Sequence, residues 1–118
     1  MNEKFLYLYS NIVRGDKMGG DEVWVKVNLT KNQWAILKEQ TVVMLWEMAD
    51  TRAEKKRAEE IEKHIDKRML TNKDIMSLLP VLEDYIETNS DEGLYSVALM
   101  YERLKEKLEN ALKRATKM

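Results

Sequence analysis

The chain has 118 residues, 20 basic against 21 acidic side chains for a formal net charge of −1, and no cysteine. That length suits one domain with a single core, and the missing cysteines exclude disulfides, thiolate zinc sites and cysteine nucleophiles while fitting a reducing compartment. The balanced charge leaves no global field to draw the protein onto nucleic acid or anionic lipid.

Residues 1–21 form an N-terminal extension that differs from the rest of the chain. Phe5, Leu8, Tyr9, Ile12 and Val13 fit a helical period, with Gly15 to stop it, while the aromatic run Phe5 to Tyr9 fits a strand, the reading slightly favoured. As a signal sequence it has a poor basic lead, Asn2-Glu3-Lys4, and no small-x-small cleavage site, so the chain reads as cytoplasmic. Val23, Val25, Val27 and Leu29 then alternate with Trp24, Lys26 and Asn28, which is strand period. A strand needs a mate, and Phe5 to Tyr9 could supply it across a connection containing Gly15, Gly19 and Gly20.

From Leu29 onward the pattern is helical, and one helix-opening signature occurs twice. Leu29-Thr30-Lys31-Asn32-Gln33-Trp34 and Leu70-Thr71-Asn72-Lys73-Asp74-Ile75 each pair an N-cap threonine with an acceptor side chain three residues later, and their starts lie 41 residues apart. Both are capping boxes, the second weaker because aspartate is shorter than glutamine, and Leu29/Trp34 and Leu70/Ile75 serve as hydrophobic staples. The offset predicts two repeat-like α-hairpins, over 29–69 and 70–117.

The first helix is expected from about Lys31 to Ala49, with Trp34, Leu37, Thr41, Met44, Leu45 and Met48 on one face and Ile36, Val43 and Trp46 elsewhere around it. The second, about Thr51 to Met69, has only a narrow stripe of Ala58, Ile61, Ile65 and Met69 in a charged sequence, as expected of an outer helix. In the third, about Asn72 to Thr88, Pro80 lies past the first turn and predicts a bend near Met76 to Pro80. Asn89-Ser90-Asp91-Glu92-Gly93 reads as a turn that caps a fourth helix, Asp91 to Lys117, whose Leu94, Val97, Tyr101, Leu104, Leu108, Ala111 and Ala115 make an a/d-type seam. The fold class is therefore mainly α: two tandem α-hairpins in a four-helix bundle-like domain over residues 22–118, behind a short extended or β segment.

Candidate chemistry is sparse. His64 is the only histidine and reads as an exposed helical residue, with Glu60 and Arg68 one turn away on either side. Glu83, Asp84 and Glu87 read as a solvated face, and no glycine-rich phosphate loop or nucleophile elbow is present, so no enzyme, cofactor or metal site is expected. No apolar run approaches the roughly 20 residues of a membrane span, the longest being the five residues Val42 to Trp46. The expected function is non-catalytic protein–protein interaction, with homodimerisation through the first helix or the extended segment and Trp24, Trp46, Met44 and Met48 as interface candidates. The alternative is a nucleic-acid-binding regulator using Arg52, Lys55, Lys56, Arg57 and Lys63, a basic set diluted by interleaved glutamates.

Overall fold

In the computed structural model of the chain, the described residues are 22–116. Phe5 to Tyr9, proposed above as strand or helix, lies outside them. The elements in chain order are β1 (Trp24–Val25), α1, α2 (Arg52–Asp66), β2 (Leu70–Thr71), α3 (Asn72–Asp91) and α4 (Tyr95–Thr116), so the fold is mainly α with a short two-stranded antiparallel sheet. Helix α1 is built from Lys31–Ile36, one π-helical turn over Leu37–Thr41, and Val42–Met48.

Side chains that satisfy orphan backbone donors set the helix starts. Complete capping boxes open α1 at Thr30/Gln33, α2 at Thr51/Glu54 and α3 at Thr71/Asp74. The aspartate box is no weaker in geometry than the others: Thr71 N–H donates to Asp74 Oδ2 at 2.8 Å, and Asp74 N–H to Thr71 Oγ1 at 3.1 Å.

Strand β1 pairs with β2, placing Trp24 opposite Thr71 and Val25 opposite Leu70. The expected long strand is thus cut to two residues, and its mate is the segment leading into α3. Val27 and Leu29, beyond the ladder, still pack against the core. So short a ladder is not stable alone. Asn72 extends it, its backbone N–H donating to Val23 O at 3.0 Å and its Oδ1 accepting from Val23 N–H at 2.9 Å.

The helices enclose one hydrophobic cluster. Leu37, Val42 and Leu45 of α1, Ile61 and Ile65 of α2, Ile75, Leu78, Val81 and Leu82 of α3, and Leu104 and Leu108 of α4 are buried in it together with Leu70. Two contacts fix α1 and α4 antiparallel: Lys107 Nζ donates to Gln33 Oε1 at 2.9 Å, and Tyr101 OH donates to Gln40 Oε1. The α4 seam is buried at Tyr101, Leu104, Leu108 and Ala111 but not at Leu94, which is 48% exposed. Leu94 falls outside the seam because α4 begins only after it, with Ala98 N–H bonded to Leu94 O.

The hairpin turns differ from the sequence expectation and from each other. Helix α3 carries Pro80 in its interior, with the ring buried, and continues to Asp91, so Asn89, Ser90 and Asp91 belong to it rather than to a turn. It closes with Gly93 N–H bonded to Ser90 O and Leu94 N–H to Asn89 O, and Gly93 takes the left-handed φ of 78°. Helix α2 stops at Asp66 instead of Met69 by the same device, Arg68 N–H to Ile65 O and Met69 N–H to His64 O, but here Arg68 takes φ 55°. A side chain in that region costs about 1 kcal/mol that glycine does not.

Opposite stability changes are therefore expected at the two turns. Arg68→Gly raises the urea midpoint, by about 0.5–1 kcal/mol of unfolding free energy, and Gly93→Ala lowers it by about 1 kcal/mol. The same sign of change for both variants contradicts the assignment.

Candidate functional site

The densest polar constellation gathers around Asp74, whose carboxylate is completely buried. Its Oδ2 accepts the Thr71 N–H and lies 2.6 Å from His64 Nδ1, which donates because a carboxylate can only accept. Its Oδ1 lies 3.0 Å from Arg57 Nη2, an ion pair whose angle leaves both of these buried atoms without a well-directed hydrogen bond. Arg57 Nη1 reaches outward to Glu22 Oε2 at 3.1 Å and Glu60 Oε2 at 3.4 Å. Thr71 Oγ1 donates to Glu22 Oε2 at 2.8 Å. The Trp24 ring meets the His64 ring edge to face, with centroids 4.9 Å apart. Helix α2 and the start of α3 are thus joined through the Asp74 carboxylate, and the segment ahead of β1 is joined to both through Glu22.

Burial by itself would raise the Glu22 carboxyl, but the Thr71 hydrogen bond and the Arg57 guanidinium outweigh it and hold the group below its ordinary value. Chemically the cluster is a clasp. A histidine oriented by a buried aspartate has the form of a general base, yet the nearby Thr71 hydroxyl is engaged at both Glu22 and Asp74 N–H. Among the described residues, no group of three metal-ligating side chains converges.

A second polar locus sits at the π turn of α1. The Tyr85 and Tyr101 rings stack with centroids 5.0 Å apart, Tyr85 OH donates to Gln40 O at 3.1 Å, and Tyr101 OH donates to the Gln40 side chain. The widened turn places both Gln40 acceptors toward α3 and α4. Burial raises both tyrosine hydroxyls above 10.0, helped at Tyr85 by Tyr101, Glu47 and Asp84. The stability these hydroxyls contribute is complete below pH 10.0 and is lost as pH rises through their higher folded values.

The residues singled out from sequence do not assemble into one surface. Met44 and Met48 are half-buried against the core, whereas Trp46 (36% exposed) and Val43 (42%) face outward on α1. Trp24, 55% exposed, lies by α2 and the last turns of α4, toward the other end of the bundle. Of the basic set, Arg52, Lys55 and Lys56 are exposed, Lys63 pairs with Glu59 at 3.4 Å, and Arg57 is turned inward to Asp74. His64 is not an exposed helical residue: its side chain is 22% exposed and committed to Asp74. The Thr51/Glu54 box was readable as Thr-x-x-Glu; the convergence of Arg57 and His64 on Asp74, with Glu22 joined to Arg57 and Thr71, had no local signal.

Comparison with protein families, with curated proteins and with solved structures finds no match for this chain. The geometry alone therefore carries the functional reading.

Two expectations follow. Asp74→Asn lowers unfolding free energy by about 3 kcal/mol in urea titrations, because it removes the buried charge opposite Arg57; a loss under 1 kcal/mol contradicts the clasp. Glu22, with its folded value depressed, contributes stability that is present above about pH 4.5 and lost as pH falls through the folded value. Below pH 4.5 the stability of Glu22→Gln falls less steeply than that of the parent chain; superimposable profiles count against the assignment.

Proposed function

We propose that this protein is a non-catalytic interaction domain that associates with a second copy of itself through the outward faces of α1 and α4. The observation that carries the reading is the apolar surface at one end of the bundle. With Gln33 beside Lys107 and Gln40 beside Tyr101, the antiparallel register points the C-terminal half of α1 toward the same end of the bundle as the start of α4. That end exposes Val43 and Trp46 from α1, and Leu94, Tyr95, Leu99 and Met100 from α4, with Tyr95 at 71%. Single apolar side chains on a surface are ordinary, but several together mark an interaction site.

A second copy suits this surface because an apolar face complements itself across a two-fold axis, and a net charge of −1 sets no electrostatic barrier between copies. Tryptophan and tyrosine are the residues whose truncation most often costs an interface over 2 kcal/mol. The nucleic-acid reading is weaker, since Arg57 and Lys63 are engaged with carboxylates and the remaining exposed cations share α2 with Glu59 and Asp66. Among the described residues no helix is long and apolar enough to cross a membrane.

Sedimentation velocity at micromolar concentration is expected to show a dimer, and both Trp46→Asp and Leu99→Asp to weaken it at least about 30-fold. A chain that stays monomeric across this range, or a dimer indifferent to both changes, overturns the reading. Circular dichroism of the two variants separates loss of association from loss of fold.

A further inference from the structure

A separate feature at the opposite end of the bundle supports a second binding site. Among the described residues, strand β1 has β2 on one side only. Asn72 N–H bonds to Val23 O, so Val23 and Asn72 form a hydrogen-bonded pair and Trp24 and Thr71 the intervening non-bonded pair. The backbone N–H and C=O of Trp24 therefore point away from β2. Among the described residues nothing takes them up. Beside the strand runs an open groove of about 470 Å³, lined by Val23, Trp24, Val25 and Lys26 from the strand segment and by Ala111, Arg114 and Ala115 from α4. The two alanines let another backbone come close. Lys26 and Arg114 bring positive charge, and among the described residues the lining contains no carboxylate. The nearby Glu22 is already held by Arg57 and Thr71.

We infer that this groove binds an extended acidic peptide segment of another protein, which adds as a third strand on the free edge of β1. Residues 23–26 extend over about 13 Å, enough for three or four paired residues of a guest strand. Backbone bonds to Trp24 fix the guest's direction and register. Val23 and Ala115 receive its apolar side chains over the buried Ala111, and Lys26 and Arg114 receive its carboxylates. Acidic chemistry is selected over basic because a lysine in the guest would face two cations with no compensating acid among the described residues of the groove. The site draws on neither Trp46 nor Leu99, so it stands or falls apart from the self-association proposed above.

The test uses the full chain, ¹⁵N-labelled, titrated with a blocked hexapeptide alternating valine and glutamate, and in parallel with its valine/lysine counterpart. The glutamate peptide is expected to shift the Trp24 and Lys26 amides and to slow exchange of the Trp24 N–H. The lysine peptide is expected to do neither. Lys26→Glu combined with Arg114→Glu is expected to weaken binding at least tenfold. Lys26→Pro, which deletes an outward-pointing donor while tolerating the extended conformation, is expected to weaken it with the amide spectrum of the helices unchanged. No shift at millimolar glutamate peptide, or equal shifts with both peptides, overturns the inference. So does slow exchange of Trp24 N–H in the free chain, which would mean that the protein's own residues already occupy the edge.

Discussion

A carboxylate that is entirely out of water must be compensated where it stands, and Asp74 is the constraint on which the surrounding architecture depends. Isolated in the interior, an ionised side chain is too costly to keep, so its partners have to be in place whenever the domain is folded. They come from three parts of the chain: His64 and Arg57 from α2, the Thr71 amide from the end of β2, and through Arg57 and Thr71 also Glu22 ahead of β1. Packing alone would allow α2 to slide or rotate against α3. The His64 hydrogen bond to one carboxylate oxygen and the Arg57 ion pair at the other restrict how α2 can sit against α3.

The stretch from His64 to Asp74 shows how the constraint is met. Helix α2 ends with Met69 N–H bonded to His64 O, the chain reverses at Arg68 in a left-handed conformation, Leu70 and Thr71 pair with β1, and α3 begins with the box that carries Asp74. His64 thus contributes at both ends, its carbonyl closing α2 and its ring holding the cap of α3. The unfavourable conformation of Arg68 is tolerated because burial of Leu70 and the Asp74 bonds fix where the turn must go. The two-residue sheet is a consequence of this geometry more than its cause.

Local patterns made much of the fold legible. The Thr30 and Thr71 boxes, the α1 face around Leu37 and Leu45, and the Leu104/Leu108 seam all rest on contacts within four residues of sequence or on helical period, which a single sequence displays. What the sequence hid is long-range. The mate of β1 is 46 residues or so further on rather than in the N-terminal extension, because a two-residue strand leaves no periodicity to read in Leu70-Thr71. His64 read as exposed because its neighbours at one-turn spacing are charged, while the group that buries it, Asp74, sits on the next helix. Arg57 read as part of a basic face for the same reason. Asp74 itself was visible only as a capping residue, and its second role depends on what tertiary packing brings against it. The π turn had no sequence mark either; it is recognised by Gln40 meeting two tyrosines from α3 and α4.

The two ends of the bundle are chemically unlike. One exposes apolar side chains from α1 and α4; the other joins a polar clasp to a strand edge. The clasp holds that edge in place, since Glu22 precedes it, Trp24 lies in it, and both contact α2. The most direct test of this account is a double-mutant cycle between Arg57 and Asp74, with Arg57→Met and Asp74→Asn measured singly and together by urea unfolding. The account requires strong coupling, about 1 kcal/mol or more, so that the double variant is less destabilised than the two single losses combined. Additivity to within about 0.3 kcal/mol would mean that the two side chains act independently, and would contradict the view that Asp74 organises the fold.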